Sequence, residues 1–106
     1  MSEQVRASHI LLMYAGSARS TATRTKEEAQ TEINSLKDQV AKGADFAELA
    51  KANSDCPSGQ QGGDLGFFGR GMMVPEFDAA AFSMEVGETS DVVETDFGYH
   101  ILQRTA

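Results

Sequence analysis

The sequence predicts an α+β fold, in which helices pack on an antiparallel or mixed sheet of about four strands. The order of the predicted elements supports this class. Segments with strand-like alternation and helix-like periodicity follow in the order strand, two helices, strand, helix, strand hairpin, and no internal repeat interrupts them. The chain has 106 residues, 41% of them apolar, which is enough for one modest core. We therefore expect a single domain over residues 1–106.

The first element is a strand from Val5 to Met13. Its alternate residues on one face are Val5, Ala7, His9, Leu11 and Met13, with Ile10 and Leu12 on the other. A strand that is apolar on both faces is typical of the centre of a sheet. The residues from Ala15 to Thr25 are small and polar, and predict a mobile loop.

Two helices follow this loop. Thr25 and Glu28 have the spacing of a capping box, and Gly43 is placed to end the first helix in a left-handed conformation. Asp45 is the expected cap of the second helix, which ends near Asn53. The buried stripe of the first helix is expected to be Ala29, Ile33, Leu36 and Val40.

Six of the ten glycines lie between Gly59 and Gly71, interleaved with large apolar residues. This pattern predicts a short strand over Asp64–Gly69, with the backbone held close to another part of the chain. A phosphate-binding loop is the alternative. Its spacing is absent, because there is no G-x-G-x-x-G and no glycine pair before Lys-Ser or Lys-Thr.

The last third of the chain predicts one helix and a hairpin. The helix spans residues 75–84 with Pro75 at its first position, and a turn follows at 85–88. Strands over 91–94 and 99–104 are joined by a turn at 95–98.

The net charge is −7, and all of it lies in residues 54–106, where nine acidic side chains face two basic ones. This balance disfavours nucleic acids and anionic membranes, and favours neutral or basic polypeptides as partners. No apolar run approaches the roughly 20 residues of a membrane helix. The apolar stretch Ile10–Met13 is also too short for a secretory signal. We expect a cytoplasmic protein, either free-standing or a domain of a longer one.

The residues that could carry chemistry are His9, His100 and Cys56. Each histidine alone fits a hydrogen-bonded core residue, whereas two histidines on neighbouring strands come within hydrogen-bond reach. Cys56 fits a buried thiol; a thiol protease would also need a cleft and an oxyanion hole, which nothing marks. A zinc site would need a fourth ligand and tighter spacing. Met72 and Met73 fit either the core or a site for apolar ligands.

Five blocks of the sequence, taken together, strongly resemble the parvulin family of peptidyl-prolyl cis-trans isomerases. They occur in the family's order from about Val5 to Arg104, nearly the whole chain. The residues Thr23–Ala29 look like the start of the first helix in Pin-type members, and the glycine block looks more like the bacterial branch. The blocks are Ala7–Leu11, Ser54–Ser58, Gly62–Phe68, Val74–Asp78 and Thr95–Ile101.

The resemblance implies a four-stranded, largely antiparallel sheet surrounded by helices, with a core of about residues 5–104. It also implies isomerisation of X–Pro bonds in polypeptides as an aid to folding. Rotation about such a bond needs no metal, no cofactor and no covalent step. We expect the protein to act as a monomer. The implied catalytic residues are His9, Cys56, Thr95 and His100. The implied proline pocket is Leu65, Met73, Phe77 and Phe97, although Pin-type members have serine in place of Phe97.

Three alternatives stay open from the sequence. The chain could be a binding module that grips proline segments with little turnover. Cys56 could be a nucleophile or only an electrostatic neighbour of the rotating carbonyl. The loop after the first strand carries only Arg19 and Arg24, so we expect no strong preference for phosphorylated substrates.

Overall fold

The computed structural model describes residues 4–17 and 22–106 and contains a four-stranded antiparallel sheet. The strands are β1 (Gln4–Leu12), β2 (Asp64–Gly69), β3 (Val93–Thr95) and β4 (Gly98–Arg104), in the spatial order β2-β1-β4-β3. The helices are α1 (Lys26–Ala41), α2 (Phe46–Asn53) and α3 (Pro75–Ser83), and a 3₁₀ helix spans Pro57–Gln61. The α+β class and the central position of the first strand are confirmed.

The alternation along β1 divides the interior into two cores. Ile10 and Leu12 pack with α1 and α2 on one face of the sheet. Val5 and Ala7 pack with Phe68 and α3 on the other. His9 shares the face of Val5 and Ala7, so the strand that builds the core also presents this histidine on the α3 side.

The two predicted caps form as the sequence indicates. Thr25 Oγ1 accepts the Glu28 N–H at 3.1 Å, and the Glu28 carboxylate accepts the Thr25 N–H at 2.8 Å. Asp45 caps α2 through the Ala47 N–H. These bonds satisfy amide groups that have no partner within the helix, and they fix where each helix begins.

The glycine run contains the expected close approach. Gly63 accepts the His9 N–H at 2.9 Å and has a φ of +82°. A Cβ at Gly63 would lie 2.3 Å from the His9 carbonyl oxygen, so only glycine fits. The backbone beside β2 is therefore held directly against the strand that carries His9.

The structure corrects several boundaries. Thr95 belongs to β3 and pairs with Gly98, so the hairpin turn is the two residues Asp96 and Phe97 rather than 95–98. The strand predicted over 91–94 begins only at Val93. The predicted Val5–Met13 strand is shifted by one residue to Gln4–Leu12, and the helix predicted over 75–84 begins at Pro75 as expected but ends at Ser83. The 3₁₀ helix was missed. Its five residues contain no apolar pattern, because glycine, serine and glutamine make up most of it.

The loop after β1 is described only in part. Ala15 donates its N–H to the Arg24 carbonyl at 2.9 Å, which closes the base of the loop. Arg19 lies outside the described residues. Among the helices of the described ranges, none is long and apolar enough to cross a membrane.

Candidate active site

Two histidines from the two central strands meet on the α3 side of the sheet. His9 lies opposite Leu102 and His100 opposite Leu11, so the histidines are diagonal neighbours across the β1–β4 ladder. Their Nδ1 atoms are 3.2 Å apart, and each residue is only 5% exposed. The structure therefore brings both predicted histidines together as a buried hydrogen-bonded pair.

Burial keeps both histidines neutral. Desolvation lowers the pKa of His9 from 6.5 to about 4. The pKa of His100 falls from 6.5 to about 3, chiefly through desolvation and also through repulsion by His9. The site centre thus carries no charge at neutral pH.

The pair is the middle of a longer chain of hydrogen bonds. On one side, His100 Nε2 lies 2.8 Å from Thr95 Oγ1, which also accepts the Phe97 N–H at 3.2 Å. On the other side, His9 Nε2 lies 3.1 Å from Ser58 Oγ. Ser58 in turn lies 3.2 Å from Cys56 Sγ. All four predicted polar residues therefore lie on one hydrogen-bond chain, in which Ser58, a residue with no predicted role, connects His9 to Cys56.

The direction of this chain follows from the buried Thr95 hydroxyl, which is 5% exposed. If His100 Nε2 donated to Thr95, then among the hydrogen bonds of the described residues no acceptor would serve the hydroxyl proton of Thr95. The arrangement therefore favours Thr95 donating to His100, and His100 Nδ1–H donating to His9. His9 Nε2–H then donates to Ser58, whose hydroxyl donates to Cys56 Sγ.

An apolar cavity opens beside the histidines. Its volume is about 230 Å³. The Phe77 ring meets both imidazoles edge-on, with centroid distances of 5.4 Å to His9 and 5.7 Å to His100. The lining residues are His9, Cys56, Leu65, Met73, Val74, Phe77, Phe97 and His100.

Seven of the eight residues singled out in the sequence line this cavity, and Thr95 lies behind His100. Val74 was missed, although its place directly before Pro75 puts it at the start of α3. Ser58 was missed because its role depends on the 3₁₀ helix that turns it towards His9. Met72 is 68% exposed and does not line the cavity, so of the two adjacent methionines only Met73 does.

A larger cavity of about 480 Å³ lies near the end of α3 and includes Met84, Glu88 and Asp91. It contains no histidine or cysteine, and its polar, acidic lining has none of the convergent groups of the smaller cavity. The groups that could do chemistry converge on the 230 Å³ cavity, which we take as the candidate site.

The metal-binding residue types do not cluster in the part of the chain that the structure describes. Over residues 4–17 and 22–106, no three histidine, cysteine, aspartate or glutamate side chains are grouped so as to hold a metal ion.

Comparison with known proteins places the whole chain in one group. The sequence model described as the PPIC-type PPIase domain matches residues 1–106. The chain is 43% identical over 115 residues to the peptidyl-prolyl cis-trans isomerase Pin1 of Arabidopsis thaliana, covering 98% of this chain and 97% of that protein. It is 46% identical over 103 residues to the foldase protein PrsA of a Geobacillus species, covering 96% of this chain and 32% of that protein. The solution structure of TbPIN1 superposes with a TM-score of 0.91 at 40% identity, covering all of both chains.

Proposed function

Since this chain belongs to the parvulin family of PPIC-type peptidyl-prolyl cis-trans isomerases and is such an isomerase, we propose that the 230 Å³ cavity beside His9 and His100 is its active site. Its substrates are polypeptides that contain proline. The observation that carries the proposal is an apolar cavity of suitable chemistry for a proline ring, backed by a buried and neutral histidine pair.

The reaction requires the site to favour a twisted amide. An X–Pro bond has a rotation barrier of about 18–20 kcal/mol, because resonance gives the C–N bond partial double-bond character. At the transition state the amide is twisted, resonance is lost and the carbonyl is less polar. A cavity that does not solvate the polar planar form disfavours the ground state more than the twisted one. Lowering the barrier by about 5 kcal/mol would accelerate rotation by roughly 10³–10⁴.

The proline ring is held by the apolar wall of Leu65, Met73 and Phe77, which line the cavity. Phe97 extends this wall from the β3–β4 turn. With the ring fixed, the preceding carbonyl is the part that turns. The binding energy of the ring is then used to hold the amide close to its twisted geometry.

The histidines shape and polarise the site without exchanging protons with the substrate. Because the pKa values of His9 and His100 lie at about 4 and about 3, neither becomes charged near neutral pH. Cys56 Sγ accepts the Ser58 hydroxyl and lines the cavity, which makes it a weakly polar neighbour of the rotating carbonyl. No covalent step is needed, since rotation breaks no σ bond.

The test measures cis/trans exchange of an Ala-Pro peptide by exchange spectroscopy, and compares variants of two adjacent methionines. Met73→Ala removes part of the ring wall, so we expect kcat/KM to fall about tenfold, mainly through KM. Met72→Ala is the matched control, because Met72 is 68% exposed and outside the cavity; kcat/KM should stay within about threefold. Equal effects of the two variants would contradict the location of the site. Binding of the peptide without faster exchange would instead indicate a binding module.

The proposal also covers the setting of the enzyme. We treat residues 1–106 as one domain that acts as a monomer in the cytoplasm and aids protein folding, without nucleic acid or membrane partners. The similarity to a protein named a foldase supports the folding role. The large apolar side chains that are exposed among the described residues are few, which supports a monomer: Phe67, Met72 and Val86. Sedimentation at micromolar concentration tests the monomer.

A further inference from the structure

The segment that carries Cys56 runs along the free edge of β1. The partner strand β2 pairs with β1 only between Gln4 and Ser8, so the later residues of β1 need other partners on that side. Leu11 accepts the Asp55 N–H at 2.7 Å and donates its own N–H to Ser54 Oγ at 3.1 Å. The strand that presents His9 therefore also holds the Asp55 backbone and the Ser54 side chain, in the two residues before Cys56.

The side chain of Asp55 adds a charged connection to the same edge. Its Oδ2 accepts the Met13 N–H at 2.9 Å and a hydrogen bond from Arg24 Nη1 at 2.5 Å. The same Nη1 donates to the Met13 carbonyl at 2.9 Å, and Arg24 Nε lies 3.5 Å from a Glu32 carboxylate oxygen. One guanidinium thus joins the loop after β1, the end of β1, α1 and the Cys56 segment.

We propose that Arg24 and Asp55 are positioning residues for the isomerisation, because their ion pair fixes the Cys56 segment against the end of β1. This inference rests on the proposed function. The segment continues directly into the 3₁₀ helix that carries Ser58, so the pair acts on both polar groups at the His9 end of the hydrogen-bond chain. We call the Arg24–Asp55 pair, together with its bonds to Met13, the clasp.

The clasp has the geometry of a positioning device. Arg24 and Asp55 are partly buried, with side chains 25% and 29% exposed, so their charge-assisted bond is less screened than one in open solvent. The planar guanidinium has fixed donor directions, which a lysine ammonium lacks. A misplacement of about 1 Å at a reacting centre can cost about 10²-fold in rate.

The clasp is separate from the wall that holds the proline ring. Leu65 lies on β2, Met73 on the turn after it and Phe77 on α3, and neither Arg24 nor Asp55 bonds to any of them. Loss of the clasp should therefore lower kcat while leaving KM nearly unchanged. A purely structural role would lower stability and leave both constants unchanged at temperatures where the protein stays folded.

The experiment compares Arg24→Gln and Asp55→Asn with wild type in saturating exchange measurements on an Ala-Pro peptide. We expect kcat about tenfold lower with KM within about twofold in both variants. Arg24→Lys keeps the charge without the fork and should recover kcat to within about threefold of wild type. Arg6→Gln is the control, since it breaks another arginine–aspartate pair on β1 that lies outside the cavity, Arg6–Asp64. It should leave both constants within about twofold.

Iodoacetamide alkylation of Cys56 gives a second readout that needs no activity. A released segment exposes the thiol, so the rate should rise at least about threefold in Arg24→Gln and Asp55→Asn and stay unchanged in Arg6→Gln. Unchanged kcat or unchanged alkylation in folded Arg24→Gln or Asp55→Asn overturns the inference. If Arg24→Gln does not fold, Asp55→Asn decides by the same criteria, and Arg24→Lys should still keep kcat within about threefold of wild type. If wild type itself does not accelerate exchange, the proposed function fails, and alkylation alone then judges the clasp.

Discussion

Acidification from pH 7 to pH 5 should destabilise the fold through its two histidines. The chain contains only His9 and His100, and burial lowers the pKa of the first to about 4 and of the second to about 3. In the unfolded chain both pKa values return to about 6.5. Between these limits the unfolded chain binds protons that the folded protein does not bind, so the free energy of unfolding falls as the pH falls.

The size of the effect can be worked from these values. At pH 5 a histidine with a pKa of 6.5 gains about 2 kcal/mol from proton binding, relative to one that stays neutral. Both pKa values in the folded protein lie a unit or more below pH 5, so neither histidine is protonated there to a large extent. Nearly all of this free energy of proton binding therefore goes to the unfolded state. Together they should lower the free energy of unfolding by about 4 kcal/mol, a large part of the 5–15 kcal/mol typical of a domain.

Urea unfolding at pH 7, 6 and 5 measures this change. The carboxylates with lowered pKa, such as Asp64 and Asp91, lose their contribution only below their usual range near pH 4, outside the window. In His9→Gln one titrating group is removed, so the fall should shrink to about 2 kcal/mol. A wild-type fall below about 1 kcal/mol, or an equal fall in His9→Gln, would refute the buried neutral pair.

Three further outcomes are expected. Cys56→Ser should keep at least about a tenth of wild-type kcat/KM if the thiol is only a polar neighbour; loss of all activity in the folded variant would indicate covalent participation. Phosphoserine before proline should gain less than about tenfold in kcat/KM over serine, because Arg24 is already paired with Asp55; a larger gain would point to Arg19, outside the described residues. Gly63→Ala should destabilise the fold by at least about 2 kcal/mol more than Gly66→Ala. Both glycines have positive φ, but only at Gly63 would the new Cβ meet backbone, so equal urea midpoints would contradict the close approach.

Much of the fold was predictable because local patterns specify it. The capping box at Thr25 and Glu28 and the two-faced apolar pattern of β1 depend only on nearby residues, and both are confirmed. The boundary error at Thr95 has a physical reason. Thr95 and Gly98 form the last pair of the β3–β4 ladder, and the turn type that permits a two-residue connection is decided by pairing rather than by composition.

The residue types of the candidate site were predictable from the sequence, whereas the hydrogen bonds that connect these residues were less so. His9 and His100 are 91 positions apart, and their 3.2 Å contact depends on the β1–β4 register. Ser58 and Arg24 carry no local signal for their roles, since a serine in a glycine-rich segment and an arginine in a polar loop are ordinary surface residues. The partner of Ser58 depends on the position of the 3₁₀ helix, and the partner of Arg24 depends on the segment that lies along the free edge of β1. Both depend on the folded sheet rather than on the neighbouring residues in the sequence.

The position of the histidine strands has a consequence for how the site opens. β1 and β4 are the inner strands of the sheet, so the amides at Ile10 and Ile101 should exchange with solvent only when the whole molecule unfolds. Leu65 and Met73 lie on the outer strand and the turn after it, where smaller openings expose the backbone. The half of the site that carries His9 and His100 is therefore rigid. The half that carries Leu65 and Met73 can open to admit a polypeptide. Substitutions at Leu65 or Met73 can therefore change which polypeptides bind, without loosening the strands that carry His9 and His100.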